Sequence, residues 1–137
     1  MMAEKWIKDT RIFVSVKTLK YMVRGGRVSY FRGFIAKLLN VNPIVSMDEN
    51  GNSFMFDKTY SQRSNMEKVL MHIHTISKDR EIWNYIVLHA NNTEAAAWYT
   101  RKMTDFTGKA PVALVNISPV IVANAGIGSV SVAIMFT

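Results

Sequence analysis

The groups in this 137-residue chain that could do chemistry are three histidines, a Gly-Gly-Arg triplet and a glycine-spaced loop. His72 and His74 lie two apart in a stretch of helical spacing. They point about 200° apart and cannot share one metal ion, so they read as partly exposed helix histidines. His89 closes the apolar run "IWNYIVLHA" and either faces a site or makes a structural hydrogen bond. Arg27 follows Gly25-Gly26, which alone is a weak phosphate signal. It could equally satisfy helix carbonyls behind a glycine C-cap. The stretch Asn124-Ala125-Gly126-Ile127-Gly128 holds more turn formers than a bend requires. Such a loop brings backbone close to a ligand or to another piece of protein. Nothing resembles a catalytic triad, a carboxylate pair, a Walker loop or a zinc motif. With no cysteine, disulfides, thiolate metal sites and cysteine nucleophiles are excluded. A binding role without metal or cofactor is the expectation, not an enzyme.

The elements that must position these groups follow from periodicity. "RIFVSV" (11–16) alternates as a strand. "TLKYMVRGG" reads as a short helix capped by Thr18 and ended by Gly25-Gly26, and "SYFRGFIAKLLN" as a second helix. Two strands flank Asn50-Gly51, the two-residue hairpin signal. "SNMEKVLMHIHTIS" is an amphipathic helix. "IWNYIVLHA" is a strand, and "TEAAAWYTRKMTDF" is a helix capped by Thr93 with Ala96, Tyr99, Met103 and Phe106 on one stripe. "VALVNIS" reads as a buried strand, and "SVSVAIMF" as the last strand, inside the sheet. Residues 1–9 read as a flexible start. The order predicts an α/β (α+β) domain over 1–137, in two layers, with a mixed sheet of about six strands covered by helices.

The net charge is +7, from 17 Lys and Arg against 10 Asp and Glu. The basic residues are scattered, densest between Lys17 and Arg32, and no nucleic-acid partner is expected. No apolar run approaches the roughly 18 residues of a membrane span. No basic n-region with an apolar h-region opens the chain, so a reducing, cytoplasmic setting is expected.

Three stretches, in order, resemble the DegV family. "TLKYMVRGGRVSYFRGFIAKLLNVNPIV" has that family's short helix ending in Gly-Gly-Arg, a helix, and Leu-Asn-hydrophobic-x-Pro opening a strand. "IVLHANNTEAA" is similar to its later strand ending in His-Ala. "ISPVIVANAGIGSVSVAI" is similar to its terminal loop and strand. The resemblance covers about Arg11 to Phe136 and corresponds to the C-terminal domain of the family's EDD-type fold.

The resemblance implies a fatty acid held between two domains, only one of which is covered here. Some members act as the carrier subunit of fatty acid kinase, presenting the acyl carboxylate to a kinase partner. Others are fused to a dihydroxyacetone-kinase-like domain. On that pattern Arg27 lies near the acyl head or the phosphoryl-transfer interface, and His89, Asn124, Gly126 and Gly128 line the ligand end. Arg63 begins the helix after the hairpin and faces either a kinase domain or solvent. The expected partners are a long-chain fatty acid, a kinase domain or the missing N-terminal DegV domain, and a second copy as a homo-oligomer. The terminal loop departs from the family's His-Thr-Gly-Pro-Gly: Asn124 replaces the histidine, keeping a donor but no titrating charge. The alternative reading is an interaction or regulatory domain of a kinase fusion that has lost fatty acid binding.

Overall fold

The computed structural model describes residues 2–16, 41–117 and 126–137. The two helices expected between Thr18 and Asn40, together with Arg27 and Asn124, lie outside the described residues. The elements are α1 (Met2–Asp9), β1 (Thr10–Ser15), β2 (Asn42–Met47), β3 (Ser53–Thr59), α2 (Gln62–Ile76), β4 (Ile82–His89), α3 (Thr93–Thr107), β5 (Ala113–Asn116) and β6 (Val130–Phe136).

One mixed sheet of six strands runs in the order β3-β2-β1-β6-β4-β5. Every neighbouring pair is antiparallel except β4 and β5, which are parallel. The last strand lies inside the sheet, as its alternation requires. Val130, Val132, Ile134 and Phe136 all point into the core because residues two apart share a face. Opposite them on β1 and β4, Phe13, Tyr85 and Val87 face the same way.

α2 and α3 cover that face. Met66, Val69 and Ile73 of α2 and Ala96, Tyr99 and Met103 of α3 recur at helical spacing and are buried against the strands. Truncating a fully buried aromatic here, such as Tyr85 or Tyr99, would remove about 3–5 kcal/mol of packing. Asn65, also buried, donates through Nδ2 to the Asn42 and Pro43 carbonyls at 3.0 and 2.9 Å, fastening α2 to the start of β2. The second sheet face carries a smaller apolar cluster of Val16, Val41 and Val45, with Val14 and Met55 against it.

Several local expectations change. Residues Met2–Asp9, expected as a flexible start, form a helix. Thr10 Oγ1 donates to the Trp6 carbonyl at 2.6 Å, and Asp9 pairs with Arg80 across 71 residues of chain. The Asn50-Gly51 hairpin is present with a longer turn. Glu49, Asn50 and Gly51 form a three-residue loop, closed by Gly51 N–H to the Asp48 carbonyl at 3.1 Å and Asp48 N–H to that of Asn52 at 2.9 Å. Only Gly51 has positive φ there (+81°), whereas a two-residue type I′ turn needs it at both central residues. Asp48 selects this loop by accepting from the Asn50 and Asn52 N–H groups, both at 2.9 Å. These bonds, that from Asn52 foremost, hold its carboxyl below the ordinary value.

The cap of α3 is Asn92 rather than Thr93: its side chain accepts from the Ala95 N–H. Phe106, placed on the buried stripe, is exposed and stacks on His74 instead, with ring centroids 3.8 Å apart. β5, expected as buried, is the edge strand. Leu114 is 54% exposed, because an apolar run cannot say whether a further strand covers it. Among the described residues, no helix is long and apolar enough to cross a membrane.

Candidate functional site

β1 and β4 are both antiparallel to β6, and β5 is parallel to β4. The C-terminal ends of β1, β4 and β5 therefore stand at one end of the sheet, beside the start of β6. α2 and α3 begin there too, since Gln62 and Asn92 both reach Gly128. Three of the sequence-predicted residues meet at this end: His89, Gly126 and Gly128. The described residues flanking both undescribed stretches also stand here. Val16 N–H reaches the Pro43 carbonyl at 3.3 Å, and Ile117 N–H reaches that of His89 at 2.7 Å.

His89 is buried at the end of β4. Its Nδ1 accepts from the Asn92 N–H at 3.0 Å, so the neutral ring carries its proton on Nε2. That hydrogen bond fixes the ring at the β4–α3 corner. Asn91 completes the corner with φ of +54°, a conformation Asn tolerates, and its N–H donates to Asn116 Oδ1 at 3.2 Å.

The glycine loop is a tight turn. Ser129 N–H donates to the Gly126 carbonyl at 3.3 Å, with φ of +91° at Gly128, where a side chain would be strained. Gly128 N–H donates to the Ala90 carbonyl at 2.7 Å, and Ala90 N–H returns a bond of 2.9 Å to the carbonyl of Ser129. The Gly128 carbonyl accepts from Gln62 Nε2 and Asn92 Nδ2, both at 2.7 Å. At this glycine, the backbone is therefore brought close to protein. Ser129 beside it is fully buried, and its hydroxyl has no hydrogen-bond partner among the described residues.

Arg63 is not part of this cluster. It is exposed on the outer side of the first turn of α2, bonded to Glu67 Oε1 at 3.2 Å, with its guanidinium 4.8 Å from the Trp98 ring centroid. A groove of about 430 Å³ lies here, lined by Arg63, Met66, Glu94, Trp98 and Arg101 among others. His72 and His74 stand apart, as their spacing requires. His72 is wedged against Phe13 and Phe56, centroids 5.3 and 4.4 Å away, and burial lowers its pKa. Among the described residues, no three His, Asp or Glu side chains are placed to hold a metal ion.

The sequence alone does not single out Gln62, Asn92 or Ser129. Asn92 stood one residue before the expected cap. A glutamine in "KTYSQRS" carries no signal that its partner lies 66 residues away.

Comparison with known proteins places this architecture. The DegV family model matches residues 1–137. The chain belongs to the DegV family. A DegV domain-containing protein of Clostridium acetobutylicum is 32% identical over 98 residues, 72% of this chain and 34% of that protein. One from Listeria monocytogenes is 31% identical over 126 residues, 90% of this chain and 43% of that protein. This DegV chain thus spans less than half the length of these relatives. Among solved structures, DegV from Bacillus subtilis, described as a fatty acid binding protein, superposes with a TM-score of 0.82 at 26% identity. The match covers 99% of this chain and 48% of that one. The fatty acid binding DegV family protein of Streptococcus agalactiae gives 0.86 at 21% identity, over 98% of this chain and 47% of that one.

Proposed function

We propose that this DegV chain is the C-terminal half of a long-chain fatty-acid site, and that it holds the acyl carboxylate for a kinase partner without chemistry of its own. One observation carries the reading. Met55, Val45, Val14, Ser131, Leu88 and Val115 lie opposite one another through the registers of six consecutive strands. The row crosses the second sheet face over about 24 Å, from the ordinary spacing of strands. All but Ser131 are apolar; Val14, Met55 and Leu88 are half-buried and Val115 is exposed, while Val45 and Ser131 are already buried. An acyl chain along this row would remove apolar surface from water, at about 25 cal/mol per Å². Ser129, two residues from Ser131 along the chain, has a hydroxyl without a partner among the described residues, which a carboxylate would satisfy. The Bacillus subtilis protein described as fatty acid binding supports the ligand class.

On this reading His89 and the Gly126–Gly128 turn stand at the head-group end. Arg27 supplies the cation there, and Arg63 faces the kinase. The second face is closed by the other DegV half or by a second copy. Asn124, where the family carries histidine, favours a second reading: an interaction domain of a kinase fusion that no longer binds fatty acid. Organic extraction of a purified protein that contains this chain and the other DegV half, with mass spectrometry, separates the two. A co-purifying long-chain carboxylate supports the first reading. A lipid-free two-half protein that stearate does not saturate sinks it and leaves the second.

A further inference from the structure

We infer that Gln62 and Asn92 are positioning residues for the head-group end, an inference that rests on the proposed acyl site. The glycine turn is already closed by its own backbone bonds, Gly128 N–H to Ala90 and Ser129 N–H to Gly126. It nevertheless receives two side-chain donors on one carbonyl. Gln62 Nε2 and Asn92 Nδ2 each stand 2.7 Å from the Gly128 oxygen, which fills both of its lone pairs. The remaining protons are used as well. Asn92 Nδ2 donates to Gln62 Oε1 at 3.3 Å, and Gln62 Nε2 to the Ser15 carbonyl at 3.4 Å. The result is a closed network joining the first turns of α2 and α3, the end of β1 and the entry to β6.

Capping does not explain the residue choice. Asn92 caps α3 through Oδ1, 3.2 Å from the Ala95 N–H, and Ser, Thr or Asp would do this as well. Of these caps only Asn carries two N–H donors, and here one goes to the Gly128 carbonyl and the other to Gln62 Oε1. Gln62 caps nothing; Ser61 holds that position on α2. Both amides therefore serve the loop. Asn124 lies two residues before Gly126, so the clasp fixes the exit of the stretch expected to meet the carboxylate. A partly satisfied network of this kind costs more than none, which makes it sensitive to loss of a single donor.

The test uses amide hydrogen exchange and stearate titration on a protein that contains this chain and the other DegV half. Asn92→Asp keeps the cap oxygen and loses both donors; Gln62→Glu keeps the length and loses its donors. In each variant, exchange at the Gly128 and Ser129 N–H groups should rise about tenfold, and stearate affinity should fall about tenfold, the size of one lost hydrogen bond. Exchange at the Ala95 N–H of Asn92→Asp should stay at the parent rate, a contrast that general destabilisation would not produce. Unchanged turn exchange, or unchanged stearate affinity with faster exchange, overturns the inference. If Asn92→Asp fails to fold, Gln62→Glu decides alone, since Gln62 caps no helix. A parent protein with both halves that does not take up stearate sinks the acyl reading, and turn exchange in the variants then decides whether the clasp holds the loop.

Discussion

Ser15 Oγ and Tyr99 Oη lie 3.2 Å apart, and both side chains are sealed from water. This one polar contact joins β1 to α3 across the main core. Tyr99→Phe would keep the ring and strand the Ser15 hydroxyl, at a cost of about 1–3 kcal/mol in urea or thermal unfolding. Burial also raises the Tyr99 pKa, against the weaker opposing effect of Ser15. The folded chain therefore keeps this proton when the unfolded chain has lost it. Stability should fall as pH rises above the unfolded tyrosine value of about 10, and Tyr99→Phe should flatten that fall.

His72 governs the opposite limb. Its pKa is lowered from 6.5 by burial against Phe13 and Phe56. The unfolded chain binds the proton first, so stability is fully present above 6.5 and declines as pH drops below it. His72→Phe should lose this decline in urea midpoints compared at pH values above and below 6.5. Asp57, held low chiefly by its bond to Lys68, acts in a lower window, below its ordinary 3.8, so the two groups separate.

Two glycines should respond differently to alanine. Gly51 and Gly128 have similar positive φ, +81° and +91°. Nothing lies within 4 Å of a Cβ built on Gly51, so Gly51→Ala should cost about 1–2 kcal/mol of stability from backbone strain alone. It sits at the end of the sheet away from His89 and should leave stearate affinity intact. Gly128→Ala should weaken both stability and affinity, because the strained residue carries the carbonyl that Gln62 and Asn92 hold. Denaturation and titration of both variants give the comparison.

The strand β6 was readable from Val130, Val132, Ile134 and Phe136, because period-two alternation survives in any sheet with one thickly covered face, but the order of the strands was not. His89 was legible as a strand end and Gly126 and Gly128 as a turn, since both are local signals. What stayed hidden was long-range. Leu114 and Val115 look as buried as Val87 until the sheet order makes β5 an edge. Gln62 and Asn92 matter only through a carbonyl that no local pattern connects to them. Trp6 gave no sign of a helix in the opening residues, where the Asp9–Arg80 pair depends on a partner 71 residues away.

Arg27 and Asn124 carry the head-group chemistry in the proposed site. Arg27→Ala should weaken acyl binding by about 1.5–3 kcal/mol, the range for a hydrogen bond to a charged group. Asn124→His should strengthen it, or add a pH dependence near the histidine range. Both are read by stearate titration across pH on a protein that contains the other DegV half. Parent-like behaviour in both variants would make this loop structural only.

The most direct measurement of the central claim is a set of contacts between isotope-labelled stearate and the methyl groups of this chain in a protein that also contains the other DegV half, observed by NMR. Saturating stearate should show transfer to Val14, Leu88 and Val115, which share the row on the second sheet face, and none to Val69 or Ile73, which face the core from α2. Failure to bind, or transfer confined to the α2–α3 side, would contradict the acyl site.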